Sequence, residues 1–242
     1  MDTQIDEIAE CIFRLSTFFP DMPPSGFTFN QYLIDADQPF LFHCGGRGLF
    51  PSVSKAAATI VPLARIRWIS FGHVEADECG SMNQWLAAAP NAQVVHGAIA
   101  CMVSLDDLAD RPPRALDNHE VLDLGGKRVR YIDTPHVPHA WESGLIFEET
   151  TKTLFTGDLF TQLGSGPAIT GKSIVSNAIL AEEAFHAMAL TPATASTIRG
   201  LASLNPERLA VMHGSCFKGD CNAELEALAA YSADALKKAQ GV

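Results

Sequence analysis

A chain of 242 residues, 47% hydrophobic and 19% charged, is large enough to bury one core without disulfides, and no run in it is both long and apolar enough to span a bilayer. A formal charge of −11, with no clustering of Lys and Arg, argues against nucleic acid and anionic membrane surfaces as partners, because neither phosphate would be neutralised. The acidic start MDTQIDEIAE lacks the basic flank and apolar stretch of a secretory leader, so a cytoplasmic protein is expected, with reduced thiols at Cys11, Cys44, Cys79, Cys101, Cys216 and Cys221.

In chain order, ECIFRLSTFF (10–19), TFNQYLID (28–35) and PFLFHCGG (39–46) have the aromatic and branched content of strands, and SVSKAAATIVPLA (52–64) has helical spacing. RIRWISFG (65–72) reads as a buried strand. It is followed by a helix in SMNQWLAAAP that ends before Pro90, a short strand in AQVVHG (92–97) and a short helix in VSLDDLAD (103–110). The middle is β-rich: HEVLDLGGKRVRYIDTP (119–135) is two strands joined by a Gly-Gly turn, and SGLIFEETTKTLFTGDLF (143–160) is a second hairpin with a polar tip. SNAILAEEAFHAMAL (176–190) and ATASTIRGLASL (193–204) are amphipathic helices, PERLAVMHG (206–214) is a strand running into a loop, and NAELEALAAYSADALKKA (222–239) is a terminal helix. No linker or repeat interrupts this pattern. Residues 1–242 therefore read as one α/β domain, with two sheets face to face and helices on the outer faces.

Chemistry concentrates where strands end. FGHVEADECG (71–80) places His73, Glu75 and Asp77 at alternate positions, and in an extended segment alternate side chains share a face. YIDTPHVPHAWES carries His136 and His139, LFTGDLF carries Asp158, and LAVMHGSC carries His213. Strand ends at one edge of a sandwich lie together in space, so these imidazoles and carboxylates can surround one metal site.

At these positions the chain resembles the metallo-β-lactamase superfamily. LDLGGKRVRYIDTP followed by GLIFEETTKTLFTGDLF is similar to its hairpins, including the Thr-Pro before one metal site and the Gly-Asp of the bridging site. The resemblance implies a four-layer αββα sandwich with a binuclear centre at one edge. Hydrolases of the superfamily read His-x-His-x-Asp-His, whereas this chain reads His73-Val74-Glu75-Ala76-Asp77-Glu78. Glu at the second position resembles the di-iron domain of flavodiiron proteins and the stand-alone oxygen-binding di-iron proteins, and FTFNQYLID resembles their early strand. The implied metal residues are His73, Glu75, Asp77, His139, Asp158 and His213, with Asp158 bridging. In flavodiiron proteins the third ligand precedes an acidic-serine pair by three residues, an offset that His139 keeps to Glu142-Ser143; His136 is the other candidate, as ligand or as a donor that orients a carboxylate.

The donor types point the same way. Two imidazoles and one carboxylate suit non-haem ferrous iron with positions open for O₂, so two iron ions are the expected cofactors, with zinc or manganese as alternatives. Glu78 stands where some relatives carry a further histidine for the second metal. Its replacement leaves room there for water, O₂ or Glu78 itself, and Asp77 and Glu78 are the candidate catalytic carboxylates. His43, His96, His119 and His186 match no motif and are expected to be ordinary structural residues. Cys79 is expected to be a structural thiol, Met and Phe of AEEAFHAMAL core, and Lys218 and Asp220 part of a polar loop; Trp141 lines the pocket or packs.

The expected function is a non-haem di-iron protein binding O₂, and NO as a second ligand. No flavin phosphate loop follows the terminal helix, so no flavin is expected on this chain. Electrons then come from an external donor, or the chain is an oxygen sensor with a signalling partner; the resemblance implies a homodimer. The competing expectation is a binuclear metallohydrolase acting on an ester, thioester, lactone or phosphodiester, with Asp77 as base.

Overall fold

The computed structural model describes residues 2–241. Its first sheet has seven strands in sequence order: β1 (Gln4–Ala9), β2 (Ile12–Phe19), β3 (Phe27–Ile34), β4 (Phe40–Phe42), β5 (Trp68–Ser70), β6 (Gln93–Gly97) and β7 (Arg114–Leu116). The first four form an antiparallel meander, and β4 to β7 run parallel. Parallel neighbours need crossovers. These are α1 (Phe50–Ala57), then α2 (Ala76–Cys79) with α3 (Met82–Ala88), then α4 (Ala98–Ala100), a π turn (Cys101–Leu105) and α5 (Asp106–Leu108).

The second sheet also has seven strands: β8 (Val121–Asp123), β9 (Arg128–Asp133), β10 (Gly144–Glu148), β11 (Thr153–Phe155), β12 (Ile169–Thr170), β13 (Arg208–Ala210) and β14 (Cys216–Lys218), ordered β12-β14-β13-β11-β10-β9-β8. The turn between β8 and β9 needs two residues with positive φ, and Gly125 (74°) and Gly126 (85°) supply them. After β11 the chain passes through α6 (Val175–Phe185) and α7 (Thr194–Gly200) before β13 returns parallel to β11, and α8 (Cys221–Gln240) closes the fold. Asp220 starts α8 by accepting a hydrogen bond from the Ala223 amide.

Three apolar layers hold the elements together. On β3, where all eight positions are buried, Phe27, Phe29 and Leu33 face α1 and α3, while Tyr32 and Ile34 face the second sheet. That alternation is the period-two geometry of a strand buried on both sides. The layer between the sheets joins Ile12, Phe40 and Phe42 to Val129, Ile146 and Phe155, and a third layer packs the second sheet against α6, α7 and α8. Mixed α/β content in two stacked sheets with outer helices is the αββα sandwich the sequence implies.

Several local expectations need correction. QIDEIA (4–9) forms an edge strand missing from the sequence reading, because its polar residues fall on both faces and only Ile8 and Ala9 are buried, so no period of two shows. The helix in 176–190 stops at Phe185, where His186 adopts a left-handed conformation with φ 52°. The polar loop expected after His213 contains β14, with Lys218 as its last residue and Asp220 as a helix cap. The segment 73–77 is not the extended run expected: residues 72–74 bend, the Glu75 amide donates to the His73 carbonyl at 3.1 Å, only Glu75 has extended dihedrals (φ −134°, ψ 156°), and Asp77 lies in the first turn of α2.

Candidate metal centre

All the predicted donors follow the carboxyl ends of strands at one edge of the sandwich. His73, Glu75 and Asp77 follow β5, His139 follows β9, Asp158 follows β11 and His213 follows β13. Local bonds fix these loops. The Val74 amide donates to Glu142 Oε1 (3.2 Å), tying the first run to the His139 loop, and Ser143 Oγ donates to the His139 carbonyl. His213 Nδ1 sits 2.8 Å from the carbonyl of Thr28 on β3, so that nitrogen carries the proton and Nε2 is free to coordinate.

The donors sort into two nests that share one carboxylate. His73 Nε2 lies 2.7 Å from Glu75 Oε2 and 2.9 Å from His139 Nε2, and His139 Nε2 lies 3.2 Å from Glu75 Oε2. Asp158 turns Oδ2 toward this group, 3.5 Å from His139 and 3.8 Å from His73. Its Oδ1 turns the other way, 3.2 Å from His213 Nε2, which is in turn 3.6 Å from Asp77 Oδ2. In the first nest, one ligand atom from each of His73, Glu75, His139 and Asp158 lies within 4.8 Å of the others, a spacing that can hold a metal ion. Donors about 2.1 Å from a shared ion are ~3.0 Å apart at a right angle and ~3.4 Å apart at a tetrahedral one. The spacings of 2.7, 2.9 and 3.2 Å fit the right-angled, octahedral case. The donors of the first nest therefore fit one metal ion, with Asp158 at 3.5 and 3.8 Å completing the set, and the second nest offers Asp77, His213 and the other oxygen of Asp158.

The electrostatics describe a cluster short of positive charge. Burial opposes protonation of His73, but the Glu78 carboxylate and hydrogen bonds to Glu75 and Glu78 outweigh it and push its pKa up to about 11. The hydrogen bond to Glu75 raises His139, and in His213 the pull of Asp158 and Asp77 exceeds the cost of burial. Glu75 is held far below the carboxylate range by bonds from His139 and His73. Asp77 is pushed up to about 6, first by burial. A cation in each nest would replace these protons.

The candidates not in the nests are placed as follows. His136 is exposed and holds its loop through its amide, bonded to the Ala140 carbonyl at 2.8 Å; the ring beside His73 is that of His139. His96 is buried beside Phe71, its pKa lowered to about 4 mainly by burial. Cys79 is a buried thiol pushed up to about 12 by burial. Trp141 is exposed; Phe185, expected in the core, is half-exposed at a cavity, whereas Met188 lines the same cavity and packs against the core over the second sheet. Glu78 needs the largest correction: it is fully buried behind His73 and does not face the second nest. Adjacent helical residues point about 100° apart, so in α2 Asp77 aims outward and Glu78 inward. His43, set aside in the sequence, is buried with its Nε2 3.7 Å from Glu78 Oε1. Its one sequence signal is a position just past β4, next to the glycines of HCGG.

A cavity of about 460 Å³ opens over the nests and is floored by Glu75, Asp77, His139, Asp158 and His213. Phe27, Phe29, Phe160 and Leu228 wall it, and Met22 and Phe185 stand half-exposed at its rim. Apart from the donors, its one ionisable lining residue is Glu182, and no Lys or Arg lines it.

Fold and donors together define a metallo-β-lactamase-like sandwich with a carboxylate-rich, metal-competent centre. The family model described as ODP family beta lactamase matches residues 27–214, and the chain belongs to that family. Among curated proteins it is 21% identical to rubredoxin-oxygen oxidoreductase of Megalodesulfovibrio gigas over 82% of this chain and 51% of that protein. It is 25% identical to the anaerobic nitric oxide reductase flavorubredoxin of Pectobacterium carotovorum over 57% of this chain and 28% of that one. The chain thus spans about half or less of the length of these relatives. Among solved structures, a fragment (1–254) of diflavin flavoprotein A 5 from Nostoc sp. PCC 7120 superposes with a TM-score of 0.85 at 19% identity, covering 100% of this chain and 99% of that one. That likeness establishes the fold.

Proposed function

We propose that this chain is a single-domain, non-haem di-iron protein that binds O₂, and NO as a second ligand. His73, Glu75 and His139 hold one iron, Asp77 and His213 the other, and Asp158 lies between them. The observation that carries the reading is Glu75, whose carboxylate turns into the first nest at 2.7 and 3.2 Å from two imidazole nitrogens. A hard, anionic oxygen at that place stabilises the ferric state more than it serves Zn²⁺. The names of two relatives, one for oxygen and one for nitric oxide, accord with it.

When bound, a pair of ferrous ions supplies electrons to a diatomic ligand; the protein's residues set where that happens. The phenylalanine walls form an apolar approach suited to an uncharged gas. The second nest has only Asp77, His213 and half of Asp158 from protein, which leaves coordination positions for the ligand. Among the described residues no Lys or Arg lines the cavity, so apart from the metal centre nothing there offers a permanent positive charge to a phosphodiester, which disfavours that branch of the hydrolase reading.

Full reduction of O₂ to water takes more electrons than two ferrous ions hold. An external donor supplies them, or the chain reports O₂ to a signalling partner without rapid turnover. We favour the second role, with the chain acting as a cytoplasmic homodimer; light scattering and cell fractionation check those two parts. The reading as a whole is tested by metal analysis and an absorption spectrum of aerobically purified protein, followed by anaerobic reduction and re-exposure to air. Two irons per chain and a visible band that bleaches and returns are expected. Colourless protein holding only zinc would sink it.

A further inference from the structure

We propose that Glu78 is a positioning residue for His73, acting from behind the first nest. Its carboxylate is fully buried, and a buried carboxylate persists only where donors face it. Oε2 accepts hydrogen bonds from the Gly72 amide and the His73 amide, the latter at 2.8 Å. Oε1 has no such amide partner and lies 3.2 Å from His73 Nδ1, with His43 Nε2 further off at 3.7 Å. One side chain thus bonds the backbone of His73 through Oε2 and brings a buried Oε1, without a hydrogen-bond partner of its own, to ion-pair distance from the ring of the same residue.

The surroundings are shaped for this contact. A Cβ at residue 72 would stand 3.0 Å from both Glu78 carboxylate oxygens, so glycine there lets the carboxylate approach the backbone. The Glu78 carbonyl accepts from the Cys44 amide at 2.6 Å, which pins the first turn of α2 against the loop after β4.

The chemical consequence follows from the tautomer. A carboxylate at Nδ1 keeps the proton on that nitrogen and points the lone pair of Nε2 into the nest. An imidazole that donates to a carboxylate is also the more basic ligand. Relative to a histidine at position 78 that reaches the second metal, Glu78 removes a donor from the second nest and adds electron density to the first. The two nests are thereby made unequal by one residue that touches neither ion.

The inference rests on the binuclear centre proposed above but not on which metal fills it, so Zn²⁺ serves as the probe. Wild-type protein and Glu78→Gln are titrated with Zn²⁺ against a competing chelator, and the Zn²⁺-loaded wild type is studied by ¹H–¹⁵N NMR of its imidazoles. Gln keeps the shape and can still accept from the two amides. We expect the step that fills the first nest to weaken about 10- to 100-fold, the second step to hold, and Glu78→Asp to recover part of the loss. In the wild type, His73 should show a slowly exchanging Nδ1–H with zinc on Nε2. Equal weakening of both steps, which a merely structural role would give, overturns the proposal, as does no weakening. Should Glu78→Gln not fold, the wild-type spectrum decides: His73 bound through Nδ1, or an Nδ1–H lost to rapid exchange, refutes it. Wild-type protein that takes up no Zn²⁺ overturns the binuclear centre and this inference together.

Discussion

The two nests differ in kind although they share Asp158. The first is tight: four ligand atoms within 4.8 Å, an ionised Glu75 and a buried carboxylate behind His73. The second is loose, with His213 3.2 Å from Asp158 and 3.6 Å from Asp77, and Asp77 itself pushed up to about 6 by burial. On the proposed reading the first nest, with more protein donors, would hold its ion more firmly, and the second, with fewer, would be where a small ligand binds under the apolar cavity.

The largest break of that comparison removes the part both nests share. Asp158→Ala deletes both oxygens, so both ions should be lost, with affinity falling by more than about 100-fold, beyond the range for residues that only support a ligand. Metal content after gel filtration measures this, and retention of one full equivalent would show that the first nest does not need the bridge. Next, Glu75→His should swap the metal preference of the first nest: zinc content rises and the O₂-dependent visible band disappears. An unchanged spectrum and iron content would count against the role given to Glu75. A smaller and more selective effect is expected of Asp77→Asn, which keeps the size of the side chain but removes a charge from the second nest alone. The weaker of two binding steps in a metal titration should then weaken by about ten-fold or more while the tighter stays put, since ligand charge sets much of the affinity of a carboxylate site.

How much of this could be read from sequence depends on what fixes each side chain. Asp158 and His213 were legible because each lies directly past a strand, and the strand dictates where it emerges. His73 and Glu75 do meet in one nest, but through a bend at 72–74 closed by the Glu75 amide on the His73 carbonyl rather than through the period of two. Beyond it the backbone turns into α2, and the same rule failed: Asp77 arrives in the second nest from a helical turn, and Glu78 swings inward. The choice of His139 over His136 came from its offset to Glu142-Ser143, and the same two residues tie the loop in the fold, where His139 stands beside His73 and His136 is in solvent. His43 was invisible because its role depends on Glu78, a partner 35 positions away and on a different crossover. The sheets were legible from hydrophobic runs, except for the polar-faced edge strand β1.

The finest expected difference between the nests is in their response to pH. Metal binding competes with protons on the ligands, so affinity falls as pH drops, with a slope set by the number of protons displaced. In the metal-free chain His73 keeps its proton up to about pH 11 and so contributes to that slope throughout, and His139 and His213, raised above the ordinary imidazole value, contribute in the acid range. The carboxylates separate the nests. Glu75 is held so low that it remains ionised throughout, and it adds nothing to the slope of the first step. Asp77, pushed up to about 6, takes up a proton as pH falls through that value. The second binding step should therefore steepen toward one further proton below pH 6, losing roughly a further five-fold between pH 6 and 5, whereas the first step has no carboxylate that adds such a break. The same shift has a stability signature with a defined sign: because the folded chain binds the Asp77 proton more readily than the unfolded chain, the metal-free fold gains stability as pH falls from about 6 toward the ordinary carboxylate range. Asp77→Asn should erase both the break and that gain, and a break that survives the substitution would move the titration to another group.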